Sequence, residues 1–381
     1  MKTNTITYAA LLCMGIAAAS CKGGGSSSSA DSTATDSAVT APSAYTAKKF
    51  EIRPKGPAPA WAPDIKPEMQ AVIEKLASYG DKPIPELTAV EARKNHTPTD
   101  AVMDLMKENN VPKPVFNVDT IGKEIPVEGG GSIHARVYIP KTGKASYPVI
   151  VYYHGGGFVI ANLDVYDASA NVLADKVGAV VVSVAYRLAP EHKFPIAHND
   201  AFAAYKWVVA NAASIQGDPK KIAVAGESAG GNLAVNTAIK ARDTKTMLPT
   251  AILTVYPVAG SDMNTKSYIK NAAAKPLDKP MMAWFVKNYL NSMAEGKDPR
   301  INLVAADLKG LPPTTIITAE LDPLQSDGML LTDKLKAAGV TVDSKNWDGV
   351  THEFFGMGAI VPQAMEAETY AADQLKKAFG L

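Results

Sequence analysis

The chain has 381 residues, of which 39 are basic and 38 acidic, so its formal charge is +1. That length can bury a large core without disulfide or metal staples. The charge balance excludes the basic footprint of a nucleic-acid binder, and 46% hydrophobic residues exclude a wholly disordered chain.

The N-terminus reads as a targeting segment. Lys2 precedes an apolar stretch of small residues from Ile6 to Ser20, too short to span a bilayer. Residues 22–44 read KGGGSSSSADSTATDSAVTAPSA, a polar composition that cannot bury a core and behaves as a tether spanning roughly 25 Å. Ala18-Ala19-Ser20-Cys21 resembles the lipobox of bacterial lipoproteins. That resemblance implies a signal peptide over residues 1–20, a lipid on Cys21 and a tether over 21–44. The competing reading is ordinary cleavage after Ala19 and a secreted soluble protein. Loss of residues 1–20 removes Lys2 and leaves 38 basic against 38 acidic residues. It also removes Cys13, so with Cys21 lipidated no thiol remains for catalysis, disulfides or metal binding.

From residue 45 to about 115 the pattern is helical and punctuated by proline. Helices are expected over Lys66–Tyr79 and Pro98–Asn109, each with a proline near its start. Glu128–Ser132 (EGGGS) reads as a hairpin turn before a half-buried strand over Ile133–Ile139. The pattern then alternates. Strands are expected at Pro148–Tyr153, Ala179–Val184, Lys221–Ala225, Ala251–Tyr256, Thr314–Thr318 and Val340–Trp347. Helices are expected at Asp164–Lys176, His198–Ala213, Ala229–Arg242, Gln325–Ala338 and Pro362–Phe379. Short buried strands alternating with helices predict an α/β fold, a mostly parallel sheet flanked by helices. The alternation stops between Pro257 and Leu303, where Met281, Met282, Trp284 and Phe285 sit in a helical insertion as pocket lining or as core.

Four motifs carry chemistry. Gly226-Glu227-Ser228-Ala229-Gly230 lies between a predicted strand and a predicted helix, the context of a nucleophile elbow. His154-Gly155-Gly156-Gly157-Phe158 follows a predicted strand, and its glycines let backbone N–H groups approach a developing oxyanion. In this kind of site the acid and then the histidine follow the serine. His352 is the only one of six histidines that follows Ser228. Asp322, after the strand Thr314–Thr318, is the expected acid, with Asp327 as the alternative inside the next helix. In such a set His352 takes the serine proton and Asp322 holds the imidazole. His154 is expected to order its loop.

The loop HGGGF, the run Tyr186–Pro195 (YRLAPEHKFP), the elbow GESAGG, Asp322-Pro323-Leu324 and His352 together resemble the hormone-sensitive-lipase-like esterases of the α/β-hydrolase fold. The resemblance covers roughly Met69 to the C-terminus. It implies a serine carboxylesterase acting on short- to medium-chain esters, with catalytic residues Ser228, Asp322 and His352. It implies oxyanion donors at the N–H groups of Gly156, Gly157 and Ala229. It implies a catalytic domain over residues 45–381, capped by helices from about 45–115 and 258–302. The family commonly carries glycine after the catalytic histidine, where this sequence has Glu353. Arg187 and Glu191 are expected as partners in a buried turn.

No metal-ligand spacing, dinucleotide loop or phosphate loop is legible, so no cofactor, metal or nucleic-acid partner is expected. The expected partner is a small-molecule ester, with membrane attachment only through Cys21. Three rival readings share the scaffold: a binding protein that has lost catalysis, a deacetylase of acetylated sugars, and a peptidase or amidase. An intact Ser–Asp–His set argues against the first.

Overall fold

A computed structural model describes residues 52–381. The expected signal peptide and tether lie outside the described residues. The chain first forms helices α1 (Pro67–Ser78), α2 (Ala89–Ala92) and α3 (Pro98–Glu108). Thr88 and Thr97 start α2 and α3 with reciprocal capping boxes, to Glu91 and Asp100.

The strands are β1 (Val118–Pro126), β2 (Ser132–Pro140), β3 (Tyr147–Tyr153), β4 (Val180–Val184), β5 (Gly217–Glu227), β6 (Ile252–Val255), β7 (Thr314–Leu321) and β8 (Val342–Thr351). They form one sheet in the order β1-β2-β4-β3-β5-β6-β7-β8. The pairs from β4 through β8 are parallel, while β1–β2 and β2–β4 are antiparallel. The sequence reading missed β1. Six of its nine residues are exposed, because it is an edge strand with little apolar signal. The EGGGS turn joins it to β2, with Gly129, Gly130 and Gly131 all at positive φ.

The remaining helices are α4 (Asp167–Val177), α5 (Ile196–Asn211), α6 (Ala229–Asp243), α7 (Lys266–Lys270), α8 (Lys279–Tyr289), α9 (Gln325–Ala337) and α10 (Pro362–Phe379). Strand alternation sorts the core onto the two sheet faces. In β3, Val149, Val151 and Tyr153 join the cluster that contains residues of α5, α6 and α9. Ile150 and Tyr152 join the cluster that contains residues of α1, α3, α4 and α10. With both faces covered, every residue of β3 and β4 is buried, which explains their unbroken apolar sequences.

Candidate active site

The expected site residues arise at strand ends. Ser228 follows β5 directly and caps α6, with φ 55° and ψ −117°. Such a turn demands small neighbours. A Cβ on Gly226 would stand 2.2 Å from the Gly230 oxygen, and one on Gly230 would stand 1.9 Å from the Tyr153 oxygen. The Ser228 N–H donates to the Val255 carbonyl at 2.8 Å, tying the turn to the next strand. Asp322 follows β7, and His352 follows β8.

These three side chains form one hydrogen-bonded chain. The His352 Nε2 lies 3.0 Å from the Ser228 Oγ, and its Nδ1 lies 2.6 Å from the Asp322 Oδ2. The other Asp322 oxygen accepts from the Leu324 N–H at 2.8 Å, which fixes the carboxylate. All three residues are buried. Burial of the imidazole lowers its pKa, but the Asp322 and Glu353 carboxylates outweigh that and raise it above the ordinary histidine value. Asp327 is placed elsewhere. Its Oδ2 accepts from the Ala259 and Gly260 N–H groups at 3.0 and 2.7 Å, and burial pushes its carboxyl up to about 7.

Gly156 and Gly157 line the same cavity as Ser228, and Ala229 follows Ser228 in the chain. Ala229 opens α6, so its N–H has no intrahelical acceptor. Among the described residues, the N–H groups of Gly156 and Gly157 also have no backbone acceptor. Gly156 has φ 94°, and a Cβ there would stand 2.2 Å from the Ile160 oxygen, so only glycine fits. His154 is buried, with Nδ1 2.8 Å from the Gly155 oxygen and its ring stacked on Tyr186. Burial lowers its pKa to about 4, so it stays neutral and orders the loop.

Above the serine is a cavity of about 620 Å³, lined mostly by apolar groups. Ile73, Leu76 and Ile84 face it from the N-terminal segment, and Met281, Met282 and Phe285 face it from α8. Trp284 does not. Its indole N–H donates to the Leu87 carbonyl at 2.9 Å and pins α8 to the N-terminal segment. Arg93 makes a second tie, donating to both Glu191 oxygens at 2.8 and 2.7 Å and to the Val159 and Ala189 carbonyls. The expected buried turn is thus half right. Arg187 pairs with the buried Asp200 at 2.6 Å, whereas Glu191 is exposed and serves Arg93.

Several residues beside the site carried no recognisable signal. Glu227, buried next to the serine, accepts from the Tyr152 hydroxyl at 2.5 Å and from the Tyr256 hydroxyl. Burial pushes its carboxyl up to about 7. The Tyr166 hydroxyl donates to Glu353 at 2.6 Å. His198 bridges the Tyr289 hydroxyl and the Asn232 side chain, beneath Phe158. The position of Glu227 inside the elbow motif was the one available clue. Among the described residues no group of three or more His, Cys, Asp or Glu side chains is placed to hold a metal ion.

Fold and strand-end constellation together define an α/β-hydrolase of the serine type. A family model described as alpha/beta hydrolase fold matches residues 150–356. The chain is 36% identical over 321 residues to carboxylesterase NlhH of Mycobacterium tuberculosis, covering 83% of this chain and 97% of that protein. It is 29% identical over 319 residues to ethyl acetate hydrolase of Pseudomonas putida, covering 83% and 98%. Among solved structures, an esterase of Pyrobaculum calidifontis matches with a TM-score of 0.73 at 37% identity, covering 82% of this chain and 98% of that one. The chain belongs to the hormone-sensitive-lipase-like carboxylic ester hydrolases of the alpha/beta hydrolase fold.

Proposed function

We propose that this protein hydrolyses short- to medium-chain carboxylic esters through an acyl-enzyme on Ser228. The observation that carries the reading is the continuous chain Ser228–His352–Asp322, with 3.0 and 2.6 Å links, whose Ser228 and His352 line a mostly apolar cavity. His352 withdraws the serine proton as Oγ attacks the ester carbonyl. The N–H groups of Gly156, Gly157 and Ala229 receive the developing oxyanion. His352 then protonates the leaving alcohol, Asp322 holding the ring throughout. Water attacks the acyl-enzyme by the same route in reverse.

The cavity supports the chain-length reading. Phe285 closes directly over Gly157, where a Cβ would meet its ring at 2.3 Å, so the space beside the oxyanion loop is short. Hydrolysis of p-nitrophenyl esters from acetate to palmitate tests this. Activity should peak at short or medium acyl chains, and a maximum at palmitate would contradict it. Export and lipid anchoring at Cys21, facing the periplasm or the exterior, belong to the same proposal. They rest on the lipobox-like residues 18–21 and the polar stretch that follows. Mass spectrometry of the mature N-terminus tests them, and an unmodified amine there removes the lipid anchor.

A further inference from the structure

Glu353 stands where the backbone turns left-handed, at φ 68°, immediately after His352. Its side chain remains one-fifth exposed and lines the same cavity as Ser228 and His352. One carboxylate oxygen lies 3.9 Å from the His352 Nε2, the nitrogen that faces Ser228. The carboxylate therefore borders the place where a leaving group departs and a second nucleophile arrives.

The hydrogen-bond inventory of this carboxylate is incomplete. The Tyr166 hydroxyl lies 2.6 and 2.8 Å from its two oxygens. A phenol carries one proton and can satisfy one oxygen at a time, while a carboxylate offers about four acceptor sites. Burial, together with the Glu353 and Glu227 carboxylates, holds the Tyr166 hydroxyl well above its ordinary pKa and keeps it a donor. Among the described residues no other side chain donates to Glu353. Acceptor capacity thus faces a mostly apolar cavity, and a polar group there gains from a donor.

The geometry points to Glu353 as the residue that positions the deacylating water and favours water over alcohols as the second nucleophile. This inference rests on the acyl-enzyme reading above. Two acceptors 3.9 Å apart can be bridged by one water with two ordinary hydrogen bonds of about 2.8 Å. That water points one O–H at His352 Nε2 and the other at Glu353, leaving its lone pair for the acyl carbon. In the step, the water oxygen bonds to the acyl carbon and its first proton passes to Nε2. The second O–H stays hydrogen-bonded to Glu353. Collapse of the tetrahedral intermediate breaks the bond to Ser228 Oγ, which takes the proton back from Nε2, and the free acid leaves. An alcohol has a single O–H. It can serve Nε2 but then leaves the carboxylate unpaired against its alkyl group.

The test is the partition of one acyl-enzyme between two nucleophiles. Wild type, Glu353→Gln and Glu353→Gly hydrolyse p-nitrophenyl butyrate in buffer with added methanol, above the acidic limb of the pH profile. Methyl butyrate and butyric acid are both quantified, together with kcat and KM. In Glu353→Gln the amide oxygen accepts from Tyr166, which turns the NH2 group towards the water. Glycine adopts the positive φ without strain, so Glu353→Gly keeps the backbone. Both variants should raise the methyl ester to acid ratio roughly five- to tenfold, the worth of one hydrogen bond. A purely structural defect lowers both products alike and leaves the ratio unchanged. An unchanged or lower ratio in Glu353→Gln overturns the inference. A wild type that forms neither product would instead overturn the esterase reading itself.

Discussion

Asp322 and His352 face each other at 2.6 Å with both side chains buried, and each emerges from the end of a different neighbouring strand. A buried carboxylate accepting from a buried imidazole fixes which ring nitrogen carries the proton. That leaves Nε2 free to accept from Ser228. Asp322→Asn keeps the shape and removes the charge, so the amide can favour the wrong tautomer. Turnover of p-nitrophenyl butyrate should fall by about four orders of magnitude, with little change in thermal stability.

The pH profile follows from the groups around the ring. His352 acts as base only when neutral, and Asp322 and Glu353 raise its pKa above the ordinary histidine value. Activity should therefore rise with pH along an acidic limb displaced upward from that of a free histidine. Glu353→Gln removes one of the carboxylates and should move the limb to lower pH. A limb at the same pH in variant and wild type would count against electrostatic coupling between the two side chains.

The oxyanion loop depends on glycine at one position above all. A Cβ on Gly156 would press to 2.2 Å against the Ile160 carbonyl, and φ there is 94°. Gly156→Ala must displace backbone, and with it a proposed oxyanion donor. We expect kcat to fall roughly 10²- to 10³-fold, the cost of losing one such donor, with KM changed far less.

Glu368 offers a stability test away from the site. Its side chain is buried beneath Gly358, whose N–H it accepts at 3.1 Å, and burial raises its carboxyl from 4.5 to about 7. Below pH 4.5 the group is protonated in both folded and unfolded chains. As pH rises towards 7 the unfolded chain ionises first, so this contribution to stability is lost. Glu368→Gln cannot titrate. Relative to wild type, its unfolding free energy in urea should improve from pH 4.5 to pH 8, by up to about 3 kcal/mol.

Much of this architecture was legible in the chain. Fully buried strands such as PVIVYY and AVVVSV announce themselves, and the order of serine, acid and histidine left one choice of base. Other parts required three dimensions. β1 is an exposed edge strand whose residues show no apolar alternation. α4 begins at Asp167 rather than Asp164, because the Asn162 side chain accepts the Asp164 and Val165 N–H groups and holds a turn there. Met281, Met282, Trp284 and Phe285 share one helix, yet only packing separates the three cavity residues from Trp284. Tyr166 lies 187 positions from Glu353 in the chain, and nothing local to either residue announces their pairing.

The most direct measurement is the hydrolysis of p-nitrophenyl butyrate by Ser228→Ala beside the wild-type protein. The substitution removes one oxygen from the end of the hydrogen-bonded chain and leaves the cavity and its backbone donors in place. Turnover should fall by several orders of magnitude, and intact-mass analysis should find an acyl adduct on the wild type alone. A Ser228→Ala variant as active as the wild type would contradict nucleophilic catalysis at this serine.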